Sequence, residues 1–270
     1  MLLLGFLLLV MMGLNADVMT SYADEPVKAV VHVMAIAIAG IAVYLGHARF
    51  VERQAGNDLG VQGMRRELGF GLLIGAGLYA TCELLLMALG VYRITGLNPV
   101  SYLVPAIAMA LSSSVFEELL FRGVLFRSVE VWFGSWSALA VSSLVFGLSH
   151  LANPQATFEG ALFIAVEAGI LLAAAFMLTR RLWLSIGFHF AWNYTQSAIF
   201  SGVVSGNEAA PGLIRSTMKG PDYLTGGQFG VESSVLALVL CTTTGIVMLV
   251  MATRRGRIVP PVWKRAGQGM

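Results

Sequence analysis

Eight apolar segments, near residues 1–15, 29–47, 69–91, 101–121, 135–151, 159–178, 182–201 and 232–252, follow one another along the chain with little polar sequence between them. A helix needs about 20 mostly apolar residues to cross a bilayer. In hydrocarbon a backbone must satisfy its own N–H and C=O groups, so open segments of this kind can only be helices. The reading is therefore an all-α, polytopic helical membrane bundle of about eight transmembrane helices, a single domain over residues 1–270. Composition agrees, because 57% of residues are hydrophobic, 12% are charged and the mean hydropathy is +0.78, values no soluble domain of this length shows. The first segment resembles a secretory signal, with Leu2–Leu14 apolar and Ser21-Tyr22-Ala23 a passable cleavage site. It lacks the basic residues that precede such a core, so we read it as a short first transmembrane helix.

Lysine and arginine give the orientation. With the N-terminus inside, Arg49, Arg53, Arg65, Arg66, Arg122, Arg127, Arg180, Arg181, Arg254, Arg255, Arg257, Lys264 and Arg265 fall on the cytoplasmic side, against Lys28, Arg93, Arg215 and Lys219 outside. Thirteen against four fits the positive-inside rule and places both termini in the cytoplasm. The formal charge of +2 is then a topology signal, not a nucleic-acid footprint, and the RRGR run at Arg254–Arg257 reads as an anchor. Cys82 and Cys241 lie in separate apolar segments with no CxxC, so no disulfide framework or thiolate metal site is indicated.

Breaks organise the rest. Asn98-Pro99 introduces the fourth helix, Ala152-Asn153-Pro154 ends the fifth, and Ser201–Gly230 is the one long loop. Gly71 and Gly75 form a GxxxG spacing that lets the third helix approach a neighbour closely.

The stretch VFEELLFRGVLF, Val115–Phe126, sets Glu117 and Glu118 among apolar residues. Two structural readings compete with a functional one. Ser114 with Glu117 matches a helix-capping box, and Glu118 with Arg122 has the i, i+4 spacing of a helix-surface ion pair. Yet Phe116, Leu119, Leu120, Phe121, Val124, Leu125 and Phe126 surround the charges, so the carboxylates should face the bundle interior or a wet cavity. Acids at such positions mark functional sites.

Of four histidines, His32 and His47 lie near the ends of the second helix without acidic or amide partners at helical spacing, and read as packed or interfacial. His150 closes the fifth helix. His189 opens HFAWN in the seventh, with Asn193 one turn on and on the same face. Buried Glu and His also serve transporters and proton relays, but internal repeats of the kind such proteins show are not visible.

EExxxR at Glu117, Glu118 and Arg122, FxxxH at Phe146 and His150, and HxxxN at His189 and Asn193 occur in one order on successive apolar segments. In this the chain resembles the CPBP family of CAAX-type and bacteriocin-processing membrane proteases, related to the Ras-converting endopeptidase. The resemblance covers a catalytic core of about residues 99–200. It implies hydrolysis of a peptide bond in a membrane-presented peptide or protein, with Glu117 as general base, His150 orienting the water, and His189 and Asn193 as oxyanion donors. Glu118, Arg122 and Phe146 would support them. No GxSxG occurs and no cysteine is close to a histidine in sequence, so a covalent nucleophile is not evident, and Ser112, Ser113, Ser114 and Ser149 are unmotivated.

Two histidines and a glutamate also admit zinc, with Glu117, His150 and His189 as ligands. HExxH is absent and HxxxN suits amide donation, so a metal-free mechanism with no cofactor is preferred. The partners implied are the lipid bilayer and a membrane-associated peptide substrate, with no nucleic acid, in a prokaryotic plasma membrane. A non-catalytic immunity or scaffold protein is the remaining alternative. Straight spans raise one conflict: His150 would lie about 22 Å along the fifth helix from Ser135, and His189 only a few residues into the seventh from the same side.

Overall fold

The computed structural model describes residues 1–53 and 57–265. The domain reading of 1–270 thus also takes in residues 54–56 and 266–270, which lie outside the described residues. The chain forms α1 (Leu2–Ser21), α2 (Pro26–Phe50), α3 (Met64–Ala88), β1 (Tyr92–Leu97), α4 (Pro105–Glu118), α5 (Arg127–Ser149), α6 (Phe158–Ile164), α7 (Ile170–Thr179), α8 (Trp183–Tyr194), β2 (Ile214–Met218), α9 (Asp222–Thr225), α10 (Val235–Arg254) and α11 (Val262–Arg265). Among the described residues, six helical runs are long and apolar enough to cross a membrane: Leu2–Ser21, Pro26–Phe50, Met64–Ala88, Val100–Ala152, Phe158–Thr179 and Val235–Arg254. The bundle is a helical membrane protein.

The 53-residue run Val100–Ala152 contains two of the expected segments. It breaks at Gly134, whose φ of 79° and ψ of 171° no helix contains. A Cβ there would also sit 2.8 Å from the Val259 carbonyl, so glycine permits both the turn and the close approach. The segment expected at 182–201 forms α8 continued by a π-helical turn, Thr195–Ile199. It falls below the length of a candidate span and is almost wholly buried.

Sequence sets the boundaries locally. Pro26 and Pro105 open α2 and α4, where a missing N–H costs nothing. Thr157 and Ser234 cap α6 and α10 by accepting from Gly160 N and Ala237 N. The capping-box reading of Ser114 and Glu117 is not realised: both lie inside α4, and Ser114 Oγ turns back to the Leu111 carbonyl at 3.4 Å.

Burial follows position in the bundle. Every residue from Leu171 to Leu178 is buried, which makes α7 the central rod, as expected of a helix apolar all round. The outer helices expose Leu3, Phe6, Val31, Ile38 and Leu73 toward the lipid phase. The Gly71–Gly75 spacing meets α8: added Cβ atoms would lie 2.4 Å from the Leu184 carbonyl and 2.3 Å from the Phe188 carbonyl. These glycines let α3 and α8 run in backbone contact.

A two-stranded antiparallel sheet, unexpected from the sequence, pairs β1 with β2, Tyr92 opposite Met218, with a bulge between Ile94 and Gly96. It ties the long 201–230 loop to the end of α3. Tyr92 donates to the Phe200 carbonyl at 3.0 Å, and burial pushes its phenol up to about 12. At the opposite end, Arg127 pairs with Glu52 and Asp58, Arg180 with Glu130, and Arg181 with Glu67.

Candidate active site

Glu117 and Glu118 end α4, and the chain continues as a π-helical stretch, Leu119–Phe126. Arg122 lies within it. The arginine is fully buried; Nη1 donates to Glu118 Oε1 at 2.8 Å and Nη2 to the Gly169 carbonyl at 3.1 Å. The pair expected at i, i+4 is therefore an interior one, with both side chains at 0% exposure. The guanidinium also lies over the Phe146 ring, 4.5 Å from its centroid.

Phe146 is a hub of ring contacts. It packs edge-on to Phe121 at 5.0 Å, to His150 at 4.9 Å and to His189 at 6.1 Å. His150 begins a 3-10 turn at the end of α5, and its Nδ1 is 2.8 Å from the Phe146 carbonyl, as a donating N–H would be. His189 Nδ1 lies 3.1 Å from Glu118 Oε1, and its Nε2 is 3.9 Å from Glu117 Oε2, too long for a direct hydrogen bond. That glutamate oxygen has no hydrogen-bond partner. Asn193 Nδ2 donates to Ser113 Oγ at 3.0 Å.

His150, His189 and Asn193 line one cavity together with Phe146, Glu167 and Glu232. It offers roughly the room of one or two water molecules. Glu117 is not part of this lining, but its Oε2 lies 3.9 Å from Nε2 of His189, which is. His32 stacks on Tyr22, and His47 lies beside Glu52 at 3.6 Å, both away from the site.

The separation expected of straight spans is not found, because the Phe146 ring stands against both His150 and His189. Ser185 Oγ donates to the Leu172 carbonyl at 3.0 Å. Ser185 thus stands opposite a position seven residues before the end of α7, while Leu182 N and Trp183 Nε1 donate to the Asp58 and Gly60 carbonyls and hold the start of α8 at the end of the bundle. One turn further on, His189 reaches the Phe146 ring, and His150 sits a turn beyond Phe146.

Sequence reasoning missed Glu167 and Glu232. Glu232 accepts from Trp192 Nε1 at 2.9 Å, from Ser205 N at 2.5 Å and from Ser205 Oγ at 2.9 Å, which fastens the long loop to α8. Glu167 lies in a π-helical turn, Ala165–Gly169, at 1% exposure, and its Oε2 has no partner. A carboxylate in an otherwise apolar segment was the available signal, the one already applied to Glu117. Ser113, set aside as unmotivated, holds Asn193.

The zinc alternative finds no assembled ligand set. Among the described residues no three His, Cys, Asp or Glu side chains are grouped to hold a metal ion.

A helical membrane bundle enclosing a carboxylate–histidine–amide cluster around a water-sized cavity defines the class. Residues 99–195, which hold the cluster, match the Rce1-like family, the type II CAAX prenyl endopeptidases. Over this stretch, about a third of its length, the chain is similar to a family of proteases. No curated protein and no solved structure gives a match.

Proposed function

We propose that the chain hydrolyses a peptide bond of a membrane-presented peptide or protein with a water molecule activated by Glu117, without metal. The observation that carries this reading is the unpartnered Glu117 oxygen 3.9 Å from a histidine whose other nitrogen is held by Glu118. A general base needs a free oxygen near the reacting water, and an oxyanion hole needs donors fixed before charge develops. Glu118 and Ser113 fix the His189 ring and the Asn193 amide in this way. His150 presents its remaining ring nitrogen to the cavity and orients the water, while Arg122 neutralises Glu118 and ties it to the π turn at Gly169. The substrate enters from the bilayer of a prokaryotic plasma membrane, with both termini of the enzyme cytoplasmic.

Detergent-purified protein should cut a fluorogenic farnesylated C-terminal peptide, or its unprenylated counterpart, to a product with a free carboxylate. The rate should survive chelation that leaves the protein metal-free by elemental analysis, and His150→Ala should lose it while remaining folded. Loss on chelation, restored by zinc alone, would overturn the metal-free mechanism.

A further inference from the structure

Glu167 has no role in the mechanism above, yet its carboxyl faces the same cavity. The two lining carboxyls differ. Glu232 has both oxygens engaged by Trp192 and Ser205, whereas Glu167 has an oxygen without any partner. The other polar groups of the lining are partly committed: His150 Nδ1 to Phe146, His189 Nδ1 to Glu118, the Asn193 amide nitrogen to Ser113. Glu167 is thus the one lining carboxyl among the described residues with an oxygen free for whatever the cavity holds.

The backbone singles out the same residue. Three π-helical stretches occur among the described residues, and two adjoin motif residues: Leu119–Phe126 follows Glu118 and contains Arg122, and Thr195–Ile199 follows Asn193. The third, Ala165–Gly169, carries Glu167 and ends at Gly169, whose carbonyl accepts from Arg122. Such turns are rare and collect at functional sites. Here one carries Glu167 two residues before the Gly169 carbonyl that accepts from Arg122.

Apolar side chains, Ile164, Ala168, Leu172 and Phe188, share the cavity wall with it. No lysine or arginine does; the titratable neighbours in the lining are His150, His189, Glu232 and Cys241. An unpaired carboxylate is costly in such a place, and the group is cheapest with its proton on. A protonated carboxyl is a donor.

Resting on the hydrolytic reading, we propose that Glu167 is a second catalytic carboxyl that delivers the proton to the departing amine. As water attacks, its oxygen bonds to the scissile carbon and Glu117 takes its proton. When the tetrahedral intermediate collapses, the C–N bond breaks, its electron pair goes to nitrogen, and the Glu167 O–H proton follows. The products are a carboxylic acid and an amine. The proton on Glu117 returns to Glu167 through solvent as products leave, so one water is consumed and no other reactant is needed.

An amine leaves poorly without a proton, whereas an alcohol leaving from an ester needs that help far less. The test therefore compares the fluorogenic farnesylated peptide with the same peptide carrying an ester at the scissile bond. Glu167→Gln keeps the shape and removes the transferable proton. It should lower kcat for the amide by about 100-fold or more and for the ester only a few-fold. The amide-to-ester ratio does not depend on how much of a preparation is folded, and Glu167→Asp, which keeps a proton donor, should recover much of it. An unchanged ratio in Glu167→Gln, or an equal fall on both substrates, overturns the assignment while leaving Glu117 untouched. A wild-type protein inert on both substrates would overturn the hydrolytic reading beneath it.

Discussion

At the residue scale the site is a set of buried polar side chains tied to one another, several with a polar atom left free. Glu118 accepts from Arg122 and fixes His189 through the same oxygen, Oε1. Breaking a buried ion pair from one side leaves an uncompensated charge and costs about 3–5 kcal/mol, while removing both partners costs less. Arg122→Leu should therefore lower the unfolding free energy in detergent more than Arg122→Leu combined with Glu118→Leu, and a double variant weaker than the single would contradict the pairing. Asn193 separates catalysis from packing. If its amide stabilises charge that appears only in the transition state, Asn193→Leu lowers kcat about 100-fold to 1,000-fold with little change in KM. If the Ser113 bond is merely structural, the rate per folded molecule survives and thermal stability falls. The motif residues were legible in the sequence because a glutamate or histidine in an apolar helix stands out against its neighbours. Glu167 carries the same contrast, but it belongs to none of the recognised spacings, and only the cavity connects it to His189.

At the scale of elements, the contact of α3 with α8 decides where His189 and Asn193 stand. Gly71 and Gly75 face α8 with no room for a side chain, whereas Gly69 and Gly77 have nothing within 4 Å of an added Cβ. Gly75→Ala should cost about 1–3 kcal/mol through overpacking and reduce activity by shifting α8. Gly77→Ala should leave both unchanged or raise stability slightly, since alanine favours helix. Equal effects of the two substitutions in a thermal melt and a rate assay would refute close packing as the reason for the spacing. The GxxxG pattern was readable from sequence, though not which helix it would meet. The β1–β2 pairing was not readable, because each strand is short and residues 98–213 lie between them. The merging of two apolar segments into one run broken at Gly134 also escaped, since a lone glycine gives no sign of its backbone angle until Val259 and Pro260 are packed against it.

For the whole molecule, apolar length and spacing fixed the class as a helical membrane protein, and the arginine and lysine distribution gives the proposed orientation. Both native cysteines are buried, so single introduced thiols can report the sides. Glu208→Cys, in the long loop, should react with an impermeant maleimide in intact cells, and Lys264→Cys should react only after permeabilisation; the reverse pattern would invert the topology. That His150 and His189 meet could not be read from sequence, because it depends on how α5 and α8 pack about the Phe146 ring. The central claim remains that Glu117 activates water for peptide hydrolysis. Its most direct measurement is the cleavage rate of Glu117→Ala on the farnesylated peptide, beside a thermal melt of the same preparation. The account predicts a variant that melts as the wild type does and has lost cleavage by at least about 100-fold. A folded variant with the wild-type rate would contradict it.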